Sequence, residues 1–328
     1  MILSKTPLRM SFVGGGSDME AYYKRNEGAV ISTSIDKYMY ITVSKKFSGD
    51  IRLSYSKTEQ VDNVNEISHP LVRESLSFLK INAGVEITST ADIPSQGSGL
   101  GSSSSYTVGL LNALHTLQKK TISKMDLAEI ACHIEIEKCK EPIGKQDQYA
   151  AAVGGLNFIK FKNDGAVIVE NIECSDSTRN TFEESILIFY TGRTRKASHL
   201  LSKQRDNLED KSKRLMMDNM VRMAYQMKNY LEKDNVDSIG NLLHENWLLK
   251  KEITKGISNS QIDEWYMRAI KAGASGGKLL GAGSGGFLMF MADPKDHMNI
   301  IKSLSDLRNL QFSFDQSGST IVYNDHNE

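Results

Sequence analysis

The sequence predicts a two-domain protein of the α+β class, and three observations carry this prediction. In the first half, strand-like and helix-like segments alternate in a mixed order, which favours an α+β or split α/β sandwich over a doubly wound parallel sheet. The charged stretch 173–184 lacks apolar periodicity and indicates a domain boundary. Long polar helices then follow before strands return. The 328 residues suit two medium domains, which we place at 1–180 and 181–328.

The first domain is predicted to begin with an extended stretch through Val13, a triple glycine and a short helix. The pattern Ser17-Asp18-Met19-Glu20 has the form of a capping box for that helix. Residues 29–45 alternate well enough for one long strand or a bent pair. Further along, the patterns predict helices over 70–80, from about Val108 to Leu117 and over 123–140, and strands over 85–91, 156–161 and 166–172.

The second domain is predicted to open with a strand over 185–190. Long polar helices are then predicted over about 196–233 and 236–255, with a third near 261–272. The chain returns to strands over 287–291 and 311–315.

Composition and charge exclude several classes of function. Forty basic residues balance forty acidic ones, so no net field draws the chain to nucleic acid or to a membrane, and we expect neither as a partner. The three cysteines, Cys132, Cys139 and Cys174, contain no C-x-x-C pair and indicate neither a disulfide framework nor a zinc site. The N-terminus lacks a sustained apolar region. We therefore expect a cytoplasmic protein that binds a small molecule.

A glycine- and serine-rich run over 93–105 is the most informative segment of the chain. It lies between a predicted strand and a predicted helix, so a glycine-rich loop leads directly into a helix N-terminus. The free backbone N–H groups at such a terminus attract anions. No Lys-Ser/Thr pair follows the last glycine, which excludes a Walker P-loop, and the spacing differs from the dinucleotide fingerprint. The segment is interpreted as a phosphate cradle, with a flexible linker as the alternative.

Three other segments carry groups suited to phosphoryl transfer. Arg9 precedes the turn Gly14-Gly15-Gly16-Ser17-Asp18, although a surface arginine and a helix cap are alternatives. Glu135 and Asp147 could hold magnesium and accept a proton, although Glu135 would also suit a solvated helix face. The run 273–286 has seven glycines before an apolar strand, and a structural β-turn region is its alternative.

Taken in this order, the segments resemble those of the galactokinase, homoserine kinase, mevalonate kinase and phosphomevalonate kinase (GHMP) superfamily. The core from Pro94 to Ser104 and the late glycines 281–286 carry the resemblance, which spans nearly the whole chain. It implies an N-terminal mixed α/β domain with a left-handed crossover and a C-terminal ferredoxin-like α+β domain. It also implies ATP as the phosphoryl donor and Mg²⁺ as the metal cofactor.

The resemblance assigns roles to individual residues. Asp147 would accept or orient the proton of the acceptor hydroxyl, and Arg9 would offset charge on the γ-phosphoryl group. Magnesium would be held by Glu135 and Ser103, with Ser102 a close alternative to the serine. The ATP phosphates would be bound by Pro94, Gly97, Ser98, Gly99, Leu100, Gly101, Ser102, Ser103 and Ser104.

Within the superfamily the chain is most similar to the D-glycero-D-manno-heptose 7-phosphate kinases, and fucose kinases share much of the pattern. Gly15 and Gly16 replace the Glu and His of galactokinases, which disfavours galactose. The implied reaction forms a 1,7-bisphosphate for nucleotide-heptose synthesis, as used in lipopolysaccharide or capsule. The implied contacts to the sugar phosphate are Gly15, Gly16, Ser17, Asp18, Lys145, Gly283, Arg193 and Arg195.

Several alternatives stay open at this point. The chain could be a kinase for the 1-hydroxyl of fucose or another hexose, or a decarboxylase of the same superfamily that phosphorylates before it eliminates. It could also be a sensor that binds ATP and sugar without turnover. The arginine cluster 193–196 is interpreted as a phosphate site, with a solvated basic turn as its alternative, and the sequence leaves a homodimer open.

Overall fold

Two β-sheets with helices packed against them make up the protein. The computed structural model describes residues 1–94, 97–192 and 198–325. Two long strands dominate the first sheet: β1 (Ile2–Val13) pairs antiparallel with β2 (Gly28–Lys45) along most of its length. The predicted long strand over 29–45 is thus confirmed as a single element. The sheet continues through β3 (Ile51–Ser54), β4 (Thr58–Val61), β5 (Val85–Ala91), β6 (Leu156–Phe161) and β7 (Val167–Asn171).

The helices of the first half are α1 (Glu20–Tyr23), α2 (Pro70–Phe78), α3 (Ser102–Leu117), α4 (Lys124–Cys132) and α5 (Gln146–Val153). Of these, α3 and α5 pack against β1 and β2, and α2 and α4 pack on α3. The chain crosses from β3 to the parallel strand β5 through β4 and α2. Val108, Leu111 and Leu114 of α3 are fully buried, as their helical spacing predicts.

Two local predictions in this half are corrected. The residues after α4 leave α-helical geometry and form a π-helical turn over His133–Lys138. The capping box is wrong, because Met19 is the N-cap of α1 and makes no side-chain capping bond. The Ser17 hydroxyl instead donates to the carbonyl of Ala29 in β2, 3.1 Å away, and so ties the glycine turn to the sheet.

The second sheet has four antiparallel strands. They are β8 (Ile186–Tyr190), β9 (Gly276–Leu279), β10 (Phe287–Met291) and β11 (Arg308–Leu310), in the spatial order β11-β8-β10-β9. Helices connect β8 to β9 and β10 to β11, which gives the βαββαβ order of a ferredoxin-like domain. The predicted C-terminal fold is confirmed.

The helices of this half differ in two places from the prediction. The stretch 173–184, expected to be irregular, contains α6 (Asp176–Glu184), whose N-cap Ser175 accepts a bond from Thr178 N. The predicted helix over 196–233 contains a break, because Asp210 accepts from Ser212 N and caps a new helix there. The helices are α7 (Ser198–Asn207), α8 (Lys211–Glu232), α9 (Ile239–Ile253), α10 (Ser260–Lys271) and α11 (His297–Ser303).

The end of the chain returns to the first sheet. β12 (Phe314–Asp315) pairs with β2, and β13 (Thr320–Asn324) pairs with β1. One buried apolar cluster also joins the two halves, since Met10 and Phe12 of β1 share it with Phe287 and Met289 of β10. The two sheets are therefore held together by a common core. Among the described residues, no helix combines the length and apolar character needed to cross a bilayer.

Candidate active site

A cavity of about 990 Å³ lies between the two halves of the protein. Both glycine-rich segments line it, and the apolar core that the two halves share holds its walls together. Its charged lining includes Arg9, Asp18, Asp147, Lys250 and Lys278. The cavity is thus large enough for a nucleotide and a small acceptor, and it gathers most of the residues that the sequence singled out.

The predicted phosphate cradle forms one wall of this cavity. Gly97, Gly99 and Gly101 have φ of 64°, 79° and 74°, values that favour glycine, and Gly101 is the N-cap of α3. The loop therefore presents the start of a sixteen-residue helix to the cavity. The lining residues are Gly97, Ser98, Gly99, Gly101, Ser102, Ser103 and Ser104.

Two residues of the predicted cradle are placed elsewhere. Leu100 is fully buried in the shared core, and only its carbonyl is used, as acceptor for Arg9 N at 3.0 Å. Pro94 is exposed and does not line the cavity. Both positions therefore shape the loop rather than present a side chain to a ligand.

The late glycine segment packs against the cradle backbone to backbone. A Cβ at Gly281 would lie 2.4 Å from Gly99 Cα, and one at Gly286 would lie 2.4 Å from Ser98 O. These contacts explain why both segments are rich in glycine. Gly281 lines the cavity, whereas Gly283 packs against the backbone of Ile257 and does not.

Arg9 and Asp147 form a paired group in the cavity wall. Arg9 Nε donates to Asp147 Oδ1 at 2.8 Å, and Nη2 donates to Oδ2 at 2.6 Å. The remaining guanidinium nitrogen donates to Gly99 O of the cradle, also at 2.8 Å. The arginine side chain is 5% exposed and the aspartate 24%, so the carboxylate reaches the cavity while the arginine is fixed behind it. This pair links the phosphate cradle to an acid suited to handle a proton.

Glu135 lies behind the cradle serines and is fully buried. Its carboxylate accepts from Ser103 Oγ at 3.2 Å, Ser104 Oγ at 2.7 Å and Thr107 Oγ1 at 3.1 Å, and from the amide of Gln148. Burial raises the pKa of Glu135 to about 7 despite these donors. The solvated-face alternative is excluded by this position.

The pair Ser103 and Glu135 has a spacing that suits a magnesium ion. Neighbouring oxygens of an octahedral Mg²⁺ site, each about 2.1 Å from the ion, lie about 3.0 Å apart. The observed separation of Ser103 Oγ and Glu135 Oε1 is 3.2 Å. Ser102 and Ser103 both line the cavity, but Ser102 Oγ bonds Ser98 Oγ at 2.7 Å, whereas Ser103 Oγ bonds the Glu135 carboxylate. The geometry therefore favours Ser103 over Ser102 as the serine ligand.

Asp18 organises the part of the cavity that is lined by the triple-glycine turn. Its carboxylate accepts from Gly16 N at 2.9 Å and Gln146 N at 3.2 Å, and so joins the triple-glycine turn to the start of α5. Burial, and secondly the charge of Asp147, raise the pKa of Asp18. A Cβ at Gly144 would lie 1.9 Å from Asp18 Oδ2, which explains that glycine. Asp18 lines the cavity, as do Gly15 and Gly16.

Other predicted acceptor residues are placed away from the cavity or beyond the described chain. Ser17 is fully buried. The Lys145 ammonium donates to Gly165 O at 2.8 Å and lies 5.0 Å from the centre of the Tyr23 ring. Neither residue lines the cavity. Arg193 and Arg195 lie outside the described residues.

The lining residues that the sequence prediction missed include two buried lysines and a buried glutamine. Lys250 is 6% exposed, Lys278 1% and Gln204 2%. Lys278 donates to the carbonyls of Ser11 and Phe12 at 2.8 and 2.7 Å, and burial lowers its pKa. Of these three residues, only Lys250 could have been found from the sequence. Its spacing places it on the apolar, buried face of α9 with Leu243 and Trp247.

Part of the cavity lining is aromatic. His69 stacks on Tyr106 with ring centres 5.1 Å apart, and Tyr55 meets His69 edge-on at 4.8 Å. Met39 and Leu71 add apolar surface to the same wall. Aromatic rings of this kind suit a flat heterocycle as ligand.

Family comparisons agree with this arrangement. The profile for the GHMP kinases N terminal domain matches residues 67–155, and that for GHMP kinases C terminal matches residues 227–305. A D-glycero-alpha-D-manno-heptose 7-phosphate kinase of Campylobacter jejuni is 31% identical, with 97% of each chain covered. A galactokinase of Pyrococcus furiosus is 24% identical over 89% of each.

A solved structure is similar over the whole length. The crystal structure of a D-glycero-D-manno-heptose 1-phosphate kinase from Bacteroides thetaiotaomicron superposes with a TM-score of 0.81 and 25% identity, and covers 99% of this chain and 100% of its own. The similarity extends across both halves and hence across the cavity between them.

Proposed function

The chain belongs to the GHMP kinase family of ATP-dependent kinases, and on that premise we propose that it phosphorylates the anomeric hydroxyl of D-glycero-D-manno-heptose 7-phosphate. The product is the 1,7-bisphosphate. The observation that carries the proposal is the Arg9–Asp147 pair, which lies between the phosphate cradle and the glycine turn at Gly15 and Gly16. The heptose is inferred from the names of the two relatives above.

ATP is proposed to span the cavity from its aromatic wall to Asp147. The triphosphate lies over the loop from Gly97 to Ser104, where backbone amides at the start of α3 and serine hydroxyls receive phosphate oxygens. The adenine occupies the wall of Tyr55, His69 and Tyr106. This orientation directs the γ-phosphoryl group toward Arg9.

Transfer is a displacement at the γ-phosphorus. The anomeric oxygen of the sugar forms a bond to phosphorus, the bond from phosphorus to the bridging oxygen of ADP breaks, and the hydroxyl proton passes toward Asp147. Both carboxylate oxygens of Asp147 already accept from Arg9, but each retains a lone pair for the hydroxyl. Arg9 thus fixes the acid and places positive charge beside the reacting oxygens.

Glu135 and Ser103 are the residues proposed to hold Mg²⁺. When bound, the ion neutralises charge on phosphate oxygens. The buried donors around Glu135 keep its carboxylate oriented toward Ser103, which faces the cavity. The chain's own contribution is a preorganised pair of oxygens next to the cradle.

The acceptor is proposed to bind at the glycine turn. The nearest atom to a Cβ at Gly15 would be Ser11 Oγ at 3.4 Å, which leaves room for the sugar beside the turn. Asp18 holds the turn against Gln146. The side-chain amide of Gln204 faces this room and its nitrogen is buried without a hydrogen-bond partner among the described residues. Arg193 and Arg195, which precede the cavity-lining helix α7 in sequence, are proposed to bind the 7-phosphate.

The proposed reaction belongs to nucleotide-heptose synthesis for surface polysaccharide, and we assign it to the cytoplasm, where ATP is made available. A coupled assay of ADP release tests the proposal. The acceptors are heptose 7-phosphate as separate anomers, heptose 1-phosphate, L-fucose, mannose and galactose. Phosphorus NMR of the product identifies the newly phosphorylated oxygen.

The outcomes separate the alternatives. ADP release with heptose 7-phosphate and a new anomeric phosphate supports the proposal. Turnover with only the unphosphorylated hexoses overturns both the heptose substrate and the arginine phosphate site. Turnover of heptose 1-phosphate alone reassigns the reacting hydroxyl. Binding of sugar and ATP without any ADP indicates a sensor.

A further inference from the structure

Lys250 is a buried cation whose role the proposed mechanism leaves open. It lies on α9 and lines the cavity with only 6% of its surface exposed. Its ammonium donates one hydrogen bond, to Gly281 O at 3.0 Å. The neighbouring Lys251 instead pairs with Asp263 at 3.2 Å and is partly exposed. One of two adjacent lysines therefore faces the cavity, and two of its three donors have no partner among the residues that the structure describes.

The ammonium of Lys250 lies between the loops that bind donor and acceptor. Its partner Gly281 packs directly on Gly99 of the phosphate cradle. On the other side, a Cβ at Gly15 of the acceptor turn would lie 4.0 Å from Lys250 Nζ. The nitrogen is thus positioned at the junction that a transferred group has to cross.

The other cations nearby are already engaged. Arg9 uses its guanidinium on Asp147 and Gly99, and Lys278 uses its ammonium on the carbonyls of Ser11 and Phe12. Lys250, in contrast, forms no ion pair within the part of the chain that the structure describes. Burial, followed by the charge of Arg9, lowers the pKa of Lys250 to about 8, although Asp18 and Asp147 oppose this. An anion in the cavity would offset the cost of this buried charge.

We propose that Lys250 is a catalytic residue whose ammonium group binds a non-bridging oxygen of the γ-phosphoryl group while it moves from ATP to the acceptor. This inference rests on the proposed function. The lysine keeps its proton throughout and contributes only positive charge and hydrogen bonds. Such contacts accelerate the reaction because charge on these oxygens is distributed differently in the transition state than in ATP.

The alternative ligand for the Lys250 ammonium is the phosphate that the acceptor already carries. Both sources present the same oxygen chemistry, and steady-state kinetics separates them. Contact with the transferred group affects kcat with every acceptor. Contact with the acceptor's own phosphate affects the KM of phosphorylated acceptors only.

The variant Lys250→Met tests the proposal, with Lys251→Met as the matched control on the same helix. We expect kcat to fall by about 100-fold or more in Lys250→Met, the scale seen when one donor to a reacting oxygen is removed. The KM values for ATP and acceptor should change little, and Lys251→Met should match the wild type. A selective rise in KM for phosphorylated acceptors, with kcat kept, would overturn the assignment to the transferred group.

A binding measurement that requires no acceptor separates this inference from the proposed substrate. Aluminium fluoride with ADP and Mg²⁺ mimics the phosphoryl group in transit. By calorimetry, fluoride should strengthen ADP binding markedly in the wild type but little in Lys250→Met, while binding of ADP alone stays equal. Equal strengthening in both proteins overturns the role of Lys250, whatever the acceptor proves to be.

The pH profile gives a third readout. For kcat/KM of ATP, which reports the free enzyme, we expect activity to fall as pH rises through about 8, where the lysine loses its proton. The groups that face it are Arg9, Asp18, Asp147 and Lys278. In Lys250→Met this alkaline decline should disappear. Its persistence would assign the decline to another group and contradict the proposal.

Discussion

Gly99 and Gly281 contact each other through their backbones, and this contact joins the phosphate cradle of the first half to the late glycine segment of the second. The Cα of Gly99 lies 2.4 Å from where a Cβ of Gly281 would be, and a Cβ at Gly99 would lie 2.3 Å from Leu280 O. The cradle is therefore shaped by tertiary contact as well as by its own sequence. Its conformation depends on the relative position of the two sheets.

Gly281→Ala should weaken ATP binding. The added methyl meets backbone atoms, which cannot rotate away, so the cradle has to shift. We expect KM for ATP to rise at least about 10-fold, since a displacement of the amides would weaken several hydrogen bonds to phosphate by an amount near 1.4 kcal/mol in total. The measurement is steady-state kinetics at saturating acceptor.

The matched control for this change is Gly49→Ala. Gly49 has φ of 81° and Gly281 has 79°, so both variants carry the same left-handed backbone cost of about 1–2 kcal/mol. Nothing lies within 4 Å of a Cβ at Gly49. An equal KM for ATP in the two variants would contradict a role for the Gly99–Gly281 contact in nucleotide binding.

Asp147→Asn should remove most of the turnover and retain the nucleotide. An asparagine keeps the shape of the side chain and one acceptor for Arg9, but it cannot take up a proton at neutral pH. We expect kcat to fall by at least about 100-fold, the scale of general-base catalysis. ATP affinity, measured by calorimetry, should change by less than about 3-fold.

Asp237→Asn, at an exposed position beside the start of α9, serves as the control for this loss of one carboxylate. Near-normal kcat in a folded Asp147→Asn protein would remove this residue from the proton transfer. The Arg9 pair would then be interpreted as structural.

The parts of the site that the sequence predicted are those set by local backbone requirements. The run 97–104 needs positive φ at alternating glycines and leads into a helix, and this pattern is visible without any tertiary information. Asp147 was also recognisable, because a polar pair precedes a small-residue helix. The ferredoxin-like half followed from the family resemblance and is confirmed by the strand order.

The residues that escaped prediction depend on contacts between distant segments. The position of Lys250 on the apolar stripe of α9 indicates burial, but its place at the cavity depends on Gly281, thirty-one positions later, whose carbonyl accepts its hydrogen bond. Ser17 was assigned to a helix cap because the sequence does not show that Ala29 O competes for its hydroxyl. The helix over 176–184 was missed because Phe182 is its one apolar residue, so the segment shows no apolar periodicity.

Gln204→Ala should impair acceptor binding selectively. The Gln204 side-chain nitrogen would lie 2.0 Å from a Cβ at Gly16, so the glutamine fills the space that a side chain at position 16 would take. Its buried and unpartnered amide suits a sugar hydroxyl. We expect KM for the acceptor to rise by about 3- to 10-fold, as for one lost hydrogen bond.

The KM for ATP should stay unchanged in Gln204→Ala. Gln60→Ala, which removes an exposed glutamine that bonds Asp50 at 2.8 Å, is the control. A parallel rise in both KM values would instead indicate that α7 has moved as a whole.

Glu135→Gln should make the stability of the metal-free protein less dependent on pH. Burial raises the pKa of Glu135 from 4.5 to about 7, so the folded state retains a proton that the unfolded state has released between these values. The stabilising effect of the neutral carboxyl is complete below about 4.5 and is lost as pH rises through 7. Above that pH the folded protein holds a buried carboxylate.

A glutamine at position 135 avoids this cost and can be accommodated. The buried Oε1 of Gln148 has no hydrogen-bond partner among the described residues, so the Gln148 amide can rotate to accept from the new side-chain N–H group. We expect the free energy of unfolding of Glu135→Gln, relative to the wild type, to increase by roughly 2 to 3 kcal/mol between pH 5 and pH 8. Denaturant unfolding in EDTA without nucleotide measures it. The exposed Glu129→Gln of α4 should show no such trend, and a constant difference for Glu135→Gln would mean that its carboxyl ionises normally in the fold.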